Sequence, residues 1–175
     1  MSTFLGIDFA SLTLQDALDL AVLIEEEASE RYQDLADQLE LHHTPEAAKF
    51  FRFMATNEER HQAELARQRR ELFHQRPSRI TRGMLFEVEA PEFDEVRVFM
   101  SVREALHVAL RAEQKAFAFF SEALPRLRDV RVRELFTELR DEEAQHQNLV
   151  LAELERTPPG EPPPENRVED EPAAQ

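Results

Sequence analysis

Two short stretches decide the fold: they read NEERH at residues 57–61 and EEAQH at residues 142–146. Each contains the spacing Glu-x-x-His. On an α-helix, residues three positions apart lie about 60° apart on one face, with one turn between them. A carboxylate and an imidazole at this spacing can bind one metal ion. One copy would carry little weight in a chain with 36 acidic residues and six His, but two copies in periodic helical segments predict a shared metal site.

The composition predicts an all-helical protein. The 175-residue chain has only three Gly, 33% charged residues and no Cys. The lack of Cys excludes disulfides, cysteine-ligated metals and thiol catalysis, and it suits a reducing compartment such as the cytoplasm. A net charge of −15 argues against a nucleic-acid partner. No apolar run reaches ~20 residues and the start lacks signal-peptide features, so we expect no membrane insertion by this chain.

Apolar residues at helical spacing predict four helices, at about 14–40, 46–75, 94–124 and 130–156. Residues that favour helix ends support these bounds, namely Thr13, Thr44 and Asp129 as N-caps, Pro45 at a first helical position and Pro125 after the third helix. Ser101 can be interpreted as an N-cap or as an interior residue of the third helix.

The inward-facing stripe of each helix is apolar, but acidic residues and His interrupt it. In the second helix the predicted stripe consists of Ala47, Phe51, Met54, Glu58, His61, Leu65 and Leu72. In the first and third helices the interrupting residues are Glu25 and Glu113, and in the fourth they are Glu143 and His146.

Two segments lie outside the predicted helices. Residues 75–93 contain Pro77, Gly83 and Pro91, which predicts a long crossover between the second and third helices, with a short helix around 80–86. Residues 157–175 hold six of the ten prolines and predict a disordered tail. The sequence therefore predicts one domain at 1–156, followed by the tail.

The sequence contains an internal repeat. An offset of 88 residues aligns Glu25 with Glu113, and an offset of 85 aligns the two Glu-x-x-His motifs. Two helical hairpins paired by this symmetry would bring together six candidate ligands: Glu25, Glu58, His61, Glu113, Glu143 and His146. Four buried carboxylates repel one another and lose hydration, which two cations would relieve. Carboxylate and imidazole donors suit iron or manganese better than calcium or structural zinc.

These motifs resemble those of the ferritin-like superfamily, and most closely rubrerythrin-type domains. The motifs that carry this resemblance lie within residues 10–156. They are Glu25-x-x-Ala28-x-x-Arg31-Tyr32, Glu58-Glu59-x-His61, Glu113-x-x-Ala116-x-x-Phe119-Phe120 and Glu142-Glu143-x-x-His146. The resemblance implies a ferritin-like four-helix bundle that holds two iron ions, with manganese or mixed iron and manganese as alternatives.

The resemblance also implies a role for each ligand. Glu25 would bind one iron as a terminal ligand, together with Glu58 and His61. In the second half, the same roles fall to Glu113, Glu143 and His146, and the two Glu-x-x-His carboxylates, Glu58 and Glu143, would bridge the ions.

The chain departs from rubrerythrins in two respects. It lacks the Cys-rich rubredoxin domain, and the positions three residues from Glu113 are Leu110 and Ala116 instead of an additional Glu. Peroxidase chemistry that relies on that Glu is therefore in doubt. Tyr32 has Phe120 as its counterpart, and two roles are equally open for it: a hydrogen bond to a ligand carboxylate, or packing in the core.

The remaining acidic and His residues are interpreted as less direct contributors. Residues beside the ligands point about 100° away from them on a helix, which predicts supporting or surface positions for Glu26, Glu27, Glu59 and Glu142. We expect His42, His43 and His74 to be solvated and His107 to be structural.

The sequence predicts a redox protein that oxidises Fe(II) with O₂ or hydrogen peroxide, in iron handling or defence against oxidative stress. The alternative is a non-catalytic module that binds or delivers iron for a transporter or a larger assembly.

The Phe residues predict self-association. Phe50, Phe51 and Phe53 point in different directions from one helix, as do Phe117 and Phe119 from another. One bundle core cannot take all of them, so we expect a homodimer or a higher oligomer. The competing interpretation is that the crossover covers these rings.

Overall fold

The computed structural model describes residues 7–41, 45–84 and 101–158. The described part is all-α and contains no strand. Its long helices are α1 (Leu14–Leu41), α2 (Pro45–Phe73), α3 (Val102–Ala123) and α4 (Val130–Arg156), and three-residue 3-10 turns lie at Phe9–Ser11, Arg82–Met84 and Leu124–Arg126. None of the helices in these ranges combines the length and apolar character needed to cross a bilayer.

The helix ends follow local signals in the sequence. The Thr13 hydroxyl accepts a hydrogen bond from the Asp16 N–H at 3.2 Å, and the Asp16 carboxylate accepts one from the Thr13 N–H at 3.2 Å. Asp129 caps α4 by accepting from the Arg131 N–H at 2.8 Å. Both predicted N-caps are therefore confirmed, and Pro45 is the first residue of α2. The predicted cap Thr44 and the loop His42 and His43 lie outside the described residues.

The predicted start of α3 near residue 94 is wrong. Ser101 is the N-cap of this helix: its hydroxyl accepts from the Glu104 N–H, and the Glu104 carboxylate accepts from the Ser101 N–H at 2.8 Å. This reciprocal capping box satisfies two backbone donors that a helix start leaves open, so α3 begins at Val102.

The buried apolar residues form two layers. The first layer uses residues 14–24 of α1, 65 of α2, 119–123 of α3 and 132–139 of α4, and the second uses 32–39, 47–55, 105–109 and 150–154 of the same helices. Helices α1 and α4 therefore run from the first layer to the second, while α2 and α3 run from the second to the first. Because α2 and α3 point the same way, the end of α2 and the start of α3 lie at opposite ends of the bundle, about 40 Å apart for helices of this size.

The described start of this crossover lies along α1. Arg79 donates to Asp16 at 3.1 Å, and Arg82 donates to Glu30 at 2.7 and 3.0 Å. Ile80 packs against the first apolar layer. Where the sequence predicts a short helix around 80–86, the structure has the 3-10 turn Arg82–Met84, and 85 and 86 lie outside the described residues.

One member of the predicted α2 stripe is misplaced. Leu72 is 50% exposed, whereas Phe73 packs against the first layer. A spacing of seven residues changes the direction by only about 20° on a straight helix, so the spacing alone does not take Leu72 off the stripe. Leu72 lies in the last turn of α2, where Arg69 and Phe73 face the bundle instead. Arg69 accordingly lies against α1, where it donates to Asp19 at 2.6 Å.

Candidate metal centre

The six predicted ligands lie between the two apolar layers, at the middle of the bundle. Five of them are nearly inaccessible to solvent: Glu25 (3%), Glu58 (2%), Glu113 (1%), Glu143 (2%) and His146 (5%). The sixth, His61, is more open, with 15% of its side chain exposed. Every helix contributes at least one of these side chains, because the polar interruption of each apolar stripe falls at the same height in the bundle.

The half of the site around His146 is compact. His146 Nδ1 lies 3.3 Å from Glu113 Oε2 and 3.7 Å from Glu143 Oε2. One possible ligand atom from each of these three buried residues lies within 4.8 Å of the others. The three atoms are therefore close enough to bind one ion together.

The half around His61 is looser. His61 Nδ1 lies 3.9 Å from Glu25 Oε2 and 3.8 Å from Glu58 Oε2. His61 takes part in two possible metal-binding groups, one with Glu58 and His146 and one with Glu25 and Glu142, each within 4.8 Å.

Glu58 lies between the two His residues. Its Oε1 is 3.2 Å from His146 Nδ1, while its Oε2 is 3.8 Å from His61 Nδ1. The two imidazole rings stack, with centroids 5.5 Å apart and an angle of 8° between their planes. One carboxylate thus offers an oxygen to each half of the site.

Several buried polar atoms at the centre have no hydrogen-bond partner among the described residues: Glu58 Oε1, His61 Nδ1, Glu113 Oε2, Glu143 Oε2, His146 Nδ1 and the Tyr32 hydroxyl. Buried polar atoms are nearly always satisfied, because leaving one unpaired costs about 1–3 kcal/mol. Five of the six are possible ligand atoms of the predicted set. A donor set of carboxylate oxygens and imidazole nitrogens in this state fits divalent metal ions of the iron and manganese type.

The carboxyl groups resist ionisation without a cation. Burial raises the pKa of Glu143 to about 8, and repulsion from Glu113 adds to the rise. Burial likewise raises the pKa of Glu58 to about 7, with a contribution from the charge of Glu143. Both shifts reflect the loss of hydration of a charged group and the proximity of like charges.

The two His residues shift in opposite directions. Burial by itself lowers the pKa of His146, but the carboxylates of Glu113, Glu143 and Glu58 outweigh it and raise the pKa to about 11. Burial lowers the pKa of His61, and the positive charges of His146 and Arg60 lower it further. A metal ion binding at His146 must therefore displace a proton, whereas His61 is neutral at pH 7.

Arg60 lies against the outer nitrogen of His61, with Nη2 3.4 Å from Nε2. Arg can only donate, so this contact requires Nε2 to be an acceptor. Metal binding through Nδ1 leaves the single imidazole proton on Nε2 instead. The two arrangements are incompatible, and the exposed Arg60 side chain would move away when a metal binds.

Tyr32 is buried in the core. Its ring stacks on Phe51, with centroids 6.1 Å apart, and its hydroxyl has no hydrogen-bond partner among the described residues. Tyr32 and Glu113 line a common cavity of about 10 Å³. Of the two roles predicted for Tyr32, core packing is the one its contacts support.

The sequence analysis missed Glu142, which it assigns to a supporting or surface position. The structure brings a Glu142 oxygen within 4.8 Å of ligand atoms of Glu25 and His61. The signal was present in the spacing, since Leu139, Glu142 and His146 are separated by three and four residues and share one helix face. His107 is also misassigned, because it is exposed; His74 is exposed, as predicted.

Comparison with known proteins agrees with the geometry. The rubrerythrin family matches residues 16–154, which include all six predicted ligands. No curated protein matches the chain. The crystal structure of an uncharacterized conserved protein from Magnetospirillum magnetotacticum MS-1 is similar, with 28% identity and a TM-score of 0.73, covering 87% of this chain and 100% of that one. The chain is an all-α, ferritin-like four-helix bundle and belongs to the rubrerythrin family.

Proposed function

We propose that the protein binds two iron ions at this centre and oxidises Fe(II) with O₂ or hydrogen peroxide. The observation that carries the proposal is the set of five buried and unpartnered ligand atoms between two apolar layers. Such a set is costly in an empty core, and two cations would remove the cost. Membership of the rubrerythrin family supports iron as the metal.

The distances suggest how the ligands divide. Glu113, Glu143 and His146 would hold one ion, and Glu25, Glu58 and His61 the other. Glu58 and Glu143 are the proposed bridges. For Glu58 this role is supported by its two oxygens, which face one His each.

Bound iron would supply the redox chemistry, with each Fe(II) giving up one electron to the oxidant. The chain supplies position and proton control. Glu143 and His146 hold protons at pH 7 when no metal is bound, as their raised pKa values of about 8 and about 11 indicate. They would release these protons on binding, which makes affinity increase with pH. The apolar layers shield the two ends of the centre from bulk water.

An anaerobic Fe(II) titration followed by exposure to air tests the proposal. We expect about two iron ions per chain, new absorption in the near-ultraviolet and visible after air is admitted, and repeated turnover of added Fe(II) with consumption of O₂ or peroxide. The matched control is His107→Ala, which removes an exposed His that is not one of the six predicted ligands. It should behave as the wild type, whereas His146→Ala should lose both binding and oxidation.

The outcomes separate the proposed functions. Two ions bound without turnover would favour the alternative, a module that binds or delivers iron to a transporter or larger assembly. Half an ion or less per chain would contradict both.

A further inference from the structure

A solvent-facing cleft lies beside the centre, between α2 and α4. It has a volume of about 140 Å³. Its outer part is lined by Glu64, Gln68 and Glu138, which are exposed, and its inner part by the partly buried His61 and Glu142. Among the described residues, no Lys or Arg lines it. We call it the acidic cleft.

The inner end of the acidic cleft reaches the metal centre. His61 and Glu142 line the cleft and, with the buried Glu25, form a group whose possible ligand atoms lie within 4.8 Å of one another. His61 belongs at the same time to the inner group with Glu58 and His146. The Nδ1 atom of His61 is buried and has no hydrogen-bond partner among the described residues. One imidazole therefore links a group open to the cleft with a group closed to it.

The sequence repeat shows that this arrangement exists on one side only. At the offset of 85 residues that aligns His61 with His146, Glu142 corresponds to Asn57, Glu138 to Phe53 and Glu64 to Leu149. The positions that are acidic beside His61 thus carry an amide and two apolar side chains beside His146. Phe53 and Leu149 are 51% and 37% exposed. The acidic cleft is therefore a feature of the His61 half, not a by-product of the bundle architecture.

We propose that divalent cations reach the centre through the acidic cleft and bind on the way at a transit site made of Glu25, His61 and Glu142. The inference rests on the proposed metal centre and adds a route and a seventh metal-binding residue to it. Glu64 and Glu138 add negative charge at the cleft mouth and attract cations from solution; the exposed Arg67, with Nη2 3.9 Å from Glu64 Oε1, offsets only part of that charge. Glu142 then replaces part of the hydration shell and passes the ion to His61, which is shared with the inner group.

The rate at which Co(II) enters the protein tests the route. Co(II) bound to nitrogen and oxygen ligands absorbs visible light, so stopped-flow absorbance follows uptake without any redox reaction. We expect Glu142→Gln to slow uptake by about tenfold or more, while the number of ions bound at equilibrium stays at two. The control Asp141→Asn removes the same charge one residue away, where the side chain points about 100° from Glu142, and should change the rate less than twofold.

A second variant keeps the test independent of the centre itself. Glu64→Gln combined with Glu138→Gln alters only exposed residues and should slow uptake several-fold and weaken its dependence on ionic strength. Equal uptake rates in the wild type, Glu142→Gln and this double variant would overturn the proposal.

Location of the ion gives a direct readout. In crystals soaked with Mn(II), anomalous scattering should show a peak between Glu25, His61 and Glu142 that is absent in Glu142→Gln. Peaks only at the inner groups in both proteins would overturn the transit site and leave the proposed centre standing. A wild-type protein that binds no Mn(II) or Co(II) at the inner groups would contradict the centre itself.

Discussion

The two halves of the centre come from one repeated pattern, yet they differ in burial and closeness. Around His146, nitrogen-to-oxygen distances are 3.2 to 3.7 Å and 6% of the side chain is exposed. Around His61, the distances are 3.8 and 3.9 Å and 15% is exposed. The same Glu-x-x-His spacing has therefore produced one tight, closed half and one looser half beside an acidic cleft.

The difference comes from the neighbours of the ligands, not from the ligands themselves. Beside His61 the chain carries Arg60, whereas Gln145 takes that place beside His146. Glu142, on the opposing helix, is replaced by Asn57 in the repeat. Under the proposed transit route, one half of the repeated ligand set would retain its ion and the other would exchange it.

The largest effect on metal affinity is expected from replacing the His of each half by Ala, in two separate variants. His146→Ala should weaken the tightest metal binding by more than about a hundredfold. Losing only the hydrogen-bond partner of a metal ligand already lowers metal affinity by about 10- to 100-fold, and this variant removes the ligand itself. His61→Ala should cost roughly tenfold less, because Glu25 and Glu142 remain beside that ion. Calorimetric titration with Mn(II), with His107→Ala as the control, measures both. Equal losses would show that the two halves are equivalent.

The next prediction concerns the stability of the metal-free protein between pH 7 and 9. In this range the folded state keeps a proton on His146 (pKa about 11) and loses that of Glu143 as the pH passes about 8, whereas the unfolded chain has largely lost both. The folded state binds more protons, so the free energy of unfolding falls as the pH rises, by on the order of 4 kcal/mol over this range. Chemical denaturation at each pH measures it.

Two variants test which half of the metal centre causes this pH dependence of stability. Glu143→Gln should flatten it, while Glu25→Gln should alter it less, because the lowered pKa of His61 leaves that imidazole neutral above pH 7. Saturating iron should stabilise the protein more at pH 9 than at pH 7, since binding displaces the protons. The same slope in the wild type and Glu143→Gln would contradict the assignment.

Phe53 and Leu149, the apolar residues that align with Glu138 and Glu64 of the acidic cleft, lead to a prediction about self-association. We expect the protein to form at least a dimer through the outer face of α2 or α3, with Phe53 in the contact because it is half exposed. Light scattering after size exclusion at micromolar concentration should give a mass of at least twice 20.4 kDa. Phe53→Glu should shift it toward the monomer, and Gln68→Glu, in the acidic cleft, should not. A wild-type mass near 20 kDa would favour coverage of these rings by the crossover.

The smallest effect is expected at Arg60. Its contact with His61 Nε2 requires the imidazole form that a metal on Nδ1 excludes. Arg60→Gln removes this competition and a nearby positive charge, so Mn(II) should bind the His61 half a few-fold more tightly. Gln145→Arg is the reverse change in the other half and should weaken binding there. Unchanged affinity in both would show that these neighbours do not tune the ions.

Much of the fold could be predicted because its signals are local. The caps Thr13 and Asp129 and the Pro at position 45 mark helix ends that the structure confirms. The start of α3 was placed too early, since apolar spacing continues upstream of Ser101 and only the capping hydrogen bonds decide between a cap and an interior residue. The exposure of Leu72 does not follow from its spacing, since Leu72 lies only about 20° from Leu65 on a straight helix but in the last turn of α2.

The sequence by itself determined the four helices and the six Glu and His residues that meet at the bundle centre, because a period of 3.6 residues fixes which side chains share a face. Only the tertiary structure decided that Glu58 faces both imidazoles, that Glu142 joins Glu25 and His61, and that one half is closed and the other open. These features depend on how the helices are rotated and spaced against one another. That arrangement is set by the packing of the two apolar layers, which no single helix encodes.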